Sequence, residues 1–499
     1  MSALTFRRAL ALGLVLIATG LLGLSCSSLP SFVPDIAHRP ARPVPLEGAG
    51  GPLTAAQSRV ILQRLQRGGE PTDIFSRHLA VEEAIVGSPL TTGNAVRLLQ
   101  DGPATYRAML DAIAAARDHI NLETYILDDD AIGRQFAQAL LAKQAQGVQV
   151  NLLRDSAGTF STPAAFFQRL SEAGVQVLEF NPVNPLTARD GWQWNQRDHR
   201  KLLIVDGRIA FLGGINISSV YSGGSFGKAR QADPDAALAW RDTDLQLQGP
   251  VVAELQKLFL AAWQSQHGPP LPPRDYFPPL QAMGAQVVRV IGSSPEEEYS
   301  LIYATLLSAI GSAETSVRIT NAYFAPGPQL LDALMAAAAR GVDVVLILPA
   351  HTDSWLVFHA GRSHYAKLLK GGVRIFERRG VVLHSKTALV DGVWATVGST
   401  NLDWRSFLHN HELNAVMLGA DFGQQLQAMF DRDLALSDAI ELAAWERRSP
   451  ALHLQEWCIV ALVGSWYSNP EATSVASIQD VPLSYRYILQ QFSTRGPLR

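Results

Sequence analysis

Cysteine is nearly absent from this chain, which has two in 499 residues, Cys26 and Cys458. Two cysteines cannot build a disulfide framework or a cysteine-rich zinc site. The chain also lacks an excess of charge, since 42 Lys and Arg residues face 45 Asp and Glu residues and leave a net charge of −3. A protein that chiefly holds nucleic acid usually carries an excess of cations, so no nucleic-acid partner is expected.

The remaining composition is that of a globular protein. Apolar residues make up 47% of the chain and charged residues 17%, which provides enough apolar surface to offset the entropy cost of ordering most of it. A length of 499 residues is typical of two or three domains.

The first 26 residues have the pattern of an export signal. Arg7 and Arg8 precede an apolar run over residues 9–25, and Cys26 follows. The pattern resembles a bacterial lipoprotein signal, in which Cys26 carries the lipid. The alternative is an uncleaved membrane helix, for which the run has about the minimum length. Both interpretations attach the N-terminus to a membrane of the bacterial cell envelope, inner or outer, with the folded body facing the periplasm.

Two further segments flank the centre of the chain. Residues 27–80 begin with a stretch rich in Pro and Gly and are predicted to form an extended tether and leader. Residues 441–499 form a C-terminal tail, in which the apolar segment 452–467 fits a core helix and a membrane-surface segment equally well.

One alternation of strands and helices occurs twice between these segments. In the first copy it predicts elements at residues 95–99, 105–116, 120–126, 132–146 and 148–153. In the second copy it predicts elements at residues 287–291, 300–309, 317–323, 330–340 and 342–348. Gly147 and Gly341 are the predicted C-caps of two of the helices. The alternation favours two α/β domains, over residues 90–270 and 280–440.

A five-residue motif follows this alternation in each copy. Its members are His199, Lys201, Asp206, Gly213 and Asn216 in the first copy and His384, Lys386, Asp391, Gly398 and Asn401 in the second, each displaced by 185 positions. One such match arises by chance on the order of 10⁻⁴ times in a chain of this length. The repetition therefore indicates a functional site.

The spacing of the motif suits phosphate chemistry. Residues two apart in a strand point the same way, so His199 and Lys201 share a face. The ammonium can bind a phosphate while the imidazole attacks it or donates a proton, and Asn216 and Asn401 add neutral donors to the oxygens. A displacement through a covalent intermediate needs a nucleophile and an acid. Each copy has one motif histidine, so we predict that both copies form one shared site.

The duplicated pattern HxK(x)4D(x)6GxxN resembles the phospholipase D superfamily over roughly residues 95–440. Residues 199–216, Trp240-Arg-Asp-Thr-Asp244 and Asn321-Ala-Tyr-Phe-Ala-Pro326 look like its bacterial cardiolipin synthase branch. The resemblance implies an α/β fold of two phospholipase D-like α/β sandwich domains related by pseudo-twofold symmetry, with one shared active site. It also implies a phosphohistidine intermediate without metal or organic cofactor, His199 being the nucleophile and His384 the general acid.

The resemblance extends the set of candidate site residues. The predicted catalytic residues are His199, Lys201, Asp206, His384, Lys386 and Asp391. A turn-forming, structural role is an equally good interpretation of the two aspartates, because each precedes a glycine at a strand end. Asn216, Asn401 and Ser399 are predicted to bind phosphate.

A carboxylate should hold the second ring nitrogen of each histidine and fix its tautomer, and the resemblance implies that this acid follows the motif on a later strand. In the second copy this acid falls on Glu412. In the first copy it falls on Asp242, with Asp244 as the alternative. The first copy also has a polar, Gly-rich insertion over residues 218–237, which is predicted to be a loop near the site.

A metal site is the main chemical rival, with His384, His409, His411 and Glu412 as ligands. The paired lysines argue against it because they would repel a cation, so no metal is expected. Three functions remain open. They are phosphatidyl transfer between phospholipids, with phosphatidylglycerol as the implied substrate, hydrolysis of phospholipids to phosphatidate, and a nuclease of the same superfamily. The sequence does not predict an oligomeric state.

Overall fold

A computed structural model describes residues 44–67, 72–187, 192–193, 195–225, 238–453, 455–456 and 459. The predicted export signal, Cys26, the start of the tether and most of the C-terminal tail lie outside the described residues.

The described part begins with a short N-terminal unit, followed by the two copies. The unit contains β1 (Leu46–Gly48), β2 (Gly51–Pro52), α1 (Ala55–Arg67) and α2 (His78–Ile85). The first copy contains β3 (Leu90–Gln100), α3 (Asp101–Ala115), β4 (His119–Thr124), α4 (Ala131–Ala145), β5 (Gln149–Asp155), α5 (Ala164–Glu172), β6 (Gln176–Phe180), β7 (Arg197–Asp198), β8 (Leu202–Val205), β9 (Ile209–Gly213), β10 (Trp240–Arg241), β11 (Thr243–Gln248) and α6 (Val251–Ser265).

The second copy repeats this order. It contains β12 (Gln286–Ser293), α7 (Leu301–Gly311), β13 (Ser316–Asn321), β14 (Phe324–Ala325), α8 (Pro328–Ala339), β15 (Asp343–Pro349), α9 (Trp355–Arg362), α10 (Tyr365–Lys370), β16 (Arg374–Arg378), β17 (Val382–Leu383), β18 (Lys386–Val390), β19 (Trp394–Gly398), β20 (Leu402–Asp403), α11 (Trp404–Leu408), β21 (Asn410–Leu418) and α12 (Ala420–Leu434). The described chain closes with β22 (Ser437–Ala439) and α13 (Leu442–Glu446).

The strands and helices predicted from the sequence are confirmed, although several extend beyond the predicted ends. Local signals explain their boundaries. The Asp130 side chain accepts hydrogen bonds from two backbone N–H groups at the start of α4, and Ser300 caps α7 in the same way. Gly147 and Gly341 follow α4 and α8 with φ of 86° and 91°, the left-handed conformation of a helix C-cap.

The two copies form one continuous sheet with a pseudo-twofold arrangement. The first copy has the strand order β6-β5-β4-β8-β9-β11-β3, and the second has the equivalent order β16-β15-β13-β18-β19-β21-β12. An antiparallel pairing of β3 with β12 joins the halves. The parallel strands β4, β5 and β6 end at the edge where β8 begins, and β13, β15 and β16 repeat this relation to β18.

Within the described part of the chain, three large apolar cores hold the layers together. One lies under α3, α4 and α5 of the first copy, and one lies under α7 and α8 of the second. The third contains side chains of α6 and α12 together with strands of both copies. The copies therefore share a core, and neither buries all of its apolar surface alone.

The N-terminal unit corrects the prediction of an extended tether over residues 27–80. Leu46 is fully buried, and β1 pairs with β3 in parallel. Ile61, Leu62 and Leu65 pack one face of α1 against the second-copy core. The Pro- and Gly-rich composition hid this helical spacing of apolar residues, so the folded part begins within the predicted tether.

The predicted C-terminal tail is also partly folded. Trp445 of α13 is buried, and its ring lies 4.8 Å from that of Tyr365 in α10. The Arg448 guanidinium lies 3.3 Å from the centre of the Trp445 ring and pairs with Glu456 at 2.7 Å. None of the helices in the described ranges is long and apolar enough to cross a membrane.

Candidate active site

The two motif histidines are buried, and each contacts a carboxylate through Nδ1. The Nδ1 of His199 lies 3.0 and 3.1 Å from the two carboxylate oxygens of Glu412. The Nδ1 of His384 lies 2.7 Å from Oδ2 of Asp242. A carboxylate that accepts at Nδ1 places the ring proton there and leaves Nε2 as the reactive nitrogen of both rings.

These pairs cross between the copies, which corrects the assignment of each acid to the histidine of its own copy. The cause lies in two short strand pairings. Strand β7 runs parallel to the start of β21, so the backbone N–H of His199 donates to the carbonyl of His411 at 3.0 Å. Strand β17 runs parallel to β10, so the N–H of His384 donates to the carbonyl of Arg241 at 2.8 Å. Each histidine is thereby placed beside the acid that follows in the other copy.

The motif lysines flank the histidines, and within the described ranges neither has a carboxylate among its hydrogen-bond partners. Lys201 Nζ donates to the carbonyl of His199 at 2.5 Å, and Lys386 Nζ donates to the carbonyl of His384. Burial lowers the pKa of Lys201 to about 7, against the opposing charge of Glu412. Burial lowers the pKa of Lys386 to about 8, against that of Asp242. The site thus holds two desolvated ammonium groups suited to an anion.

Burial also disfavours the charged forms of the two histidines and of Glu412. It lowers the pKa of His199 well below the ordinary value, and the ammonium groups of Lys201 and Lys386 add to the effect. It lowers the pKa of His384 as well, and the ammonium group of Lys386 adds to that shift, but there the Asp242 carboxylate opposes it. Burial raises the pKa of Glu412 to about 7. The two histidines therefore differ in their electrostatic surroundings.

We expect the alkaline limb of the pH–activity profile to reflect deprotonation of the two motif lysines. Above a pKa of about 7 for Lys201 and about 8 for Lys386, the amines become neutral and attract a phosphodiester anion less. Activity should therefore fall as pH rises, and kcat/KM, which reflects the free enzyme, should fall first. A bound anion favours the charged amines, so the limb in kcat should lie at higher pH. Steady-state rates across pH test this expectation, and coincident limbs would contradict it.

Ser399 has a different partner from the one predicted. Its hydroxyl donates to Oε2 of Glu412 at 2.5 Å and accepts from the N–H of Leu413 at 3.0 Å. The prediction that Ser399 binds phosphate is therefore corrected, because its hydroxyl holds the acid that orients His199. At the matching first-copy position, a Cβ on Gly214 would lie 2.3 Å from Oδ1 of Asp242. The glycine is thus needed for the Asp242 carboxylate to approach.

Replacing Gly214 with serine should therefore damage the site selectively. The new Cβ would push Asp242 away from His384, and a misplacement of about 1 Å costs on the order of 10²-fold in kcat. Steady-state rates and thermal unfolding of G214S measure the effect. The matched control is S399G, which removes a hydrogen bond but adds no clash and should lower kcat less. Equal losses in the two variants would show that the close approach of Asp242 is unimportant.

The two motif asparagines are both buried but differ in their contacts. The N–H of Ile126 donates to Oδ1 of Asn216 at 3.2 Å, and Nδ2 of Asn216 donates to the Tyr221 hydroxyl at 3.0 Å. The Oδ1 of Asn401 is buried without a hydrogen-bond partner among the described residues. Asn216 therefore keeps one N–H for a phosphate oxygen, and the amide of Asn401 is not fully engaged by protein. Their role in phosphate binding stays a prediction.

The motif aspartates lie at the opposite ends of strands β8 and β18 from the histidines. The Asp206 carboxylate accepts from the backbone N–H groups of Arg117, Asp118 and His119 at 2.8–3.1 Å. The Asp391 carboxylate accepts from those of Glu314, Thr315 and Ser316 at 2.8–3.2 Å. These contacts correct the assignment of both residues to the catalytic set, because they fix the starts of β4 and β13.

We expect D206N to destabilise the protein without removing its activity. Asn tolerates the φ of 52° at this position but has one acceptor oxygen in place of two, which costs about 1–3 kcal/mol of unfolding free energy. Turnover per folded molecule should change by less than about threefold, because Asp206 does not touch the site. Denaturant unfolding and steady-state rates, with D391N alongside, measure both. A large fall in kcat at unchanged stability would restore the catalytic assignment.

Four aromatic residues at the site were missed or left without a role. The ring of Tyr125 lies 5.0 Å from that of His199, and the ring of Tyr323, at the matching strand end, lies 5.8 Å from that of His384. Trp240 lies 5.0 Å from the His384 ring, and the Tyr221 hydroxyl lies 3.2 Å from its Nδ1. Tyr125 directly follows β4 and Tyr323 lies two residues after the equivalent strand β13, a signal that the repeat could have supplied.

The described part of the predicted insertion loop, residues 218–225, lies near the site. Residues 219–221 form a single 3₁₀ turn, which carries the buried Tyr221 against His384. The part over residues 226–237 lies outside the described residues.

The alternatives named from the sequence have other partners. Asp244 pairs with Gly213 in the sheet, and its counterpart in the second copy is Asn414, which pairs with Gly398. Burial, reinforced by the Asp242 carboxylate, raises the pKa of Asp244 well above its ordinary value. Of the metal-site candidates, Glu412 is bound to His199, and His411 Nε2 lies 3.7 Å from Glu296. Over the described ranges, no group of three or more His, Cys, Asp or Glu residues could hold a metal ion.

Comparison with known proteins identifies related families. A family described as "Cardiolipin synthase, PLD-like domain" matches residues 109–230 and 306–434. The chain is 33% identical over 383 residues to a cardiolipin synthase of Geobacillus sp. (strain WCH70), covering 76% of this chain and 74% of that protein. It is 36% identical over 363 residues to cardiolipin synthase A of Pseudomonas aeruginosa (strain LESB58), covering 72% and 71%.

One solved structure has a similar fold over most of its length. The phosphatidylserine synthase of Haemophilus influenzae Rd KW20 matches with a TM-score of 0.55 and 12% sequence identity, covering 84% of this chain and 97% of that chain. At this identity the likeness concerns the fold alone.

Proposed function

The chain belongs to the cardiolipin synthase family with two phospholipase D-like domains, and from this premise we propose that it transfers a phosphatidyl group from one phosphatidylglycerol to another. The predicted fold, with two such domains related by pseudo-twofold symmetry, is confirmed by the family match and the strand order. The observation that carries the proposal is the crossed pairing of His199 with Glu412 and of His384 with Asp242. It brings two reactive imidazoles and two ammonium groups together.

The first half of the reaction forms a covalent intermediate. The Nε2 of His199 attacks the phosphorus of phosphatidylglycerol, and the bond from phosphorus to the glycerol oxygen breaks. His384 gives its proton to that oxygen, so that neutral glycerol leaves and the phosphatidyl group stays on His199. Lys201 and Lys386 hold the phosphate oxygens during this exchange.

The second half releases the product. The free glycerol hydroxyl of a second phosphatidylglycerol gives its proton to His384 and attacks the phosphorus. The bond from phosphorus to Nε2 of His199 breaks, and cardiolipin leaves. Two phosphatidylglycerol molecules thus give one cardiolipin and one glycerol, and both histidines return to their starting protonation states.

The electrostatic difference between the histidines supports this division of roles. A nucleophile must be neutral, and burial beside two ammonium groups lowers the pKa of His199 well below its ordinary value. An acid that becomes a base must gain and lose a proton, and the Asp242 carboxylate favours the charged form of His384. Glu412, whose own pKa is raised to about 7 by burial, gives His199 less support as a cation.

We also propose that the protein works at a membrane, attached by its N-terminal segment, with the catalytic body on the periplasmic side. The support is the apolar run over residues 9–25 after Arg7 and Arg8. Phospholipids are its proposed substrates, and the site needs no metal or organic cofactor for the steps above.

Product analysis tests the proposed reaction. The purified full chain is incubated with labelled phosphatidylglycerol in mixed micelles containing a chelator, and the products are identified by mass spectrometry. Cardiolipin and glycerol in equal amounts, absent with H199A, are the expected result. Phosphatidate and glycerol would replace the proposal with hydrolysis, and no turnover would exclude phosphatidylglycerol as the donor. Activity that disappears with the chelator would contradict the metal-free mechanism.

A further inference from the structure

Four large apolar side chains are exposed at positions close in sequence to residues that surround the site. They are Phe160, Val220, Leu238 and Trp355, and we call them the apolar rim. Their exposed fractions run from 36% for Trp355 to 78% for Phe160. Phe160 and Leu238 lie in loops, Val220 lies in the 3₁₀ turn over residues 219–221, and Trp355 is the first residue of α9.

Two members of the apolar rim are connected to the site through tyrosines. Phe160 lies two residues after Gly158, where a Cβ would come within 2.1 Å of the Tyr125 carbonyl oxygen. The Tyr125 ring in turn packs against His199. Trp355 lies two residues after Asp353, whose carboxylate accepts from the Tyr323 hydroxyl at 2.5 Å. One member thus flanks each half of the site.

The other two members adjoin residues that touch His384. Val220 precedes Tyr221, whose hydroxyl lies 3.2 Å from Nδ1 of His384. Leu238 lies two residues before Trp240, whose ring lies 5.0 Å from that of His384. Val220 and Leu238 are therefore within two residues of a side chain that contacts His384. Phe160 and Trp355 are within two residues of a group that contacts Tyr125 or Tyr323.

Exposed apolar residues at the opposite edge provide a comparison. Phe277 and Met283 are 50% and 52% exposed. Pro278, next to Phe277, lies 2.7 Å from the Cβ that Gly207 would carry. Gly207 follows the end of β8 that is farther from His199. The N–H of Met283 donates to the carbonyl of Gly93 at 2.8 Å. Gly93 lies near the last residue of β11, at the end of that strand farther from Asp242. These two residues match the apolar rim in exposure but not in position.

We propose that the apolar rim inserts into the surface of a phospholipid bilayer and holds the mouth of the site at the depth of the lipid phosphates. The inference rests on the proposed function, which requires lipid phosphodiester groups to reach two buried histidines. A lipid that keeps its acyl chains in the bilayer can present its phosphate only to a site pressed against the surface. Apolar and aromatic side chains that enter the boundary between headgroups and acyl chains stabilise such a position.

A fluorescent probe tests the contact without any need for turnover. An environment-sensitive fluorescent amino acid replaces Phe160 in one full-length variant and Phe277 in a matched one, and both are reconstituted into vesicles of phosphatidylglycerol and phosphatidylcholine. Any N-terminal attachment is the same in both. Lipids that carry a quencher near the start of the acyl chain should quench the probe at position 160 at least about threefold more than the probe at position 277. Equal quenching at both positions would overturn the proposal.

A kinetic comparison tests whether the contact matters. The double variant F160S/W355S should lose at least about tenfold in kcat/KM on vesicles relative to its kcat/KM on monomeric short-chain phosphatidylglycerol, because only the vesicle rate depends on insertion. The control F277S/M283S should keep the ratio of the unaltered protein. An unchanged ratio in F160S/W355S would contradict the proposal. No turnover of monomeric lipid by the unaltered protein would instead contradict the proposed function and leave the quenching result to decide the insertion.

Discussion

Replacing His199 with alanine is expected to lower kcat on phosphatidylglycerol by about 10⁴-fold or more, because it removes the atom to which the phosphatidyl group is attached. The loss should be the same for a donor with a good leaving group, since the missing step is formation of the bond from phosphorus to nitrogen. The adduct on histidine is a phosphoramidate, which acid hydrolyses, so the reaction is quenched rapidly with denaturant at alkaline pH before intact-mass analysis. The unaltered protein should show an increase equal to one phosphatidyl group, and H199A should show none.

The control for this prediction is another histidine that lies away from the site. His453 is exposed in the last described part of the chain, and H453A should keep the activity and the adduct of the unaltered protein. Retention of an adduct in H199A would move the nucleophile to His384. His384 would then be the nucleophile and His199 the general acid, and the reaction steps would be unchanged because the site is nearly symmetric.

The local features of the fold could be predicted from the sequence because they depend on neighbouring residues. Apolar periodicity and the terminal glycines located the helices and strands of both copies, and the spacing of His199 and Lys201 identified a strand with both side chains on one face. Composition was a weaker guide. The Pro- and Gly-rich N-terminal stretch concealed α1, in which three apolar residues at helical spacing pack against the core.

The pairing of the site residues could not be predicted in the same way. Glu412 and Asp242 were identified as the acids, but the strand pairings that assign them join β7 to β21 and β10 to β17, between different copies. These pairings involve two residues each and have no periodic signal. The direction of a hydroxyl is equally hidden, so Ser399 was assigned to the phosphate although it donates to Glu412.

The symmetry of the repeat also gave wrong expectations at the positions where the two copies have different residues. The first copy has Gly214 at the position of Ser399 because Asp242, one methylene shorter than Glu412, comes closer to the backbone. Asp244 occupies the place of the neutral Asn414. Such differences give the two histidines unequal surroundings. The duplicated motif by itself would give them equal ones. The division of labour between the histidines therefore depends on residues outside the motif.

Replacing His384 with alanine should give a different loss that depends on the leaving group. On phosphatidylglycerol the departing glycerol oxygen needs a proton, and loss of the general acid should lower kcat by about 10²–10⁴-fold. A phosphatidyl ester of p-nitrophenol releases a weakly basic phenolate that needs none. The first step of H384A on this donor should therefore run at a rate within about tenfold of that of the unaltered protein.

The same variant should then accumulate the covalent intermediate. Without His384, no base accepts the proton of the incoming glycerol hydroxyl, so the bond from phosphorus to Nε2 of His199 is formed but broken slowly. Rapid-mixing measurements should show a burst of about one nitrophenolate per protein followed by slow turnover, with the phosphatidyl adduct visible by mass. The companion D242N, which leaves His384 in place without its charged partner, should show a smaller loss and a smaller burst. A burst in H199A and none in H384A would reverse the two roles.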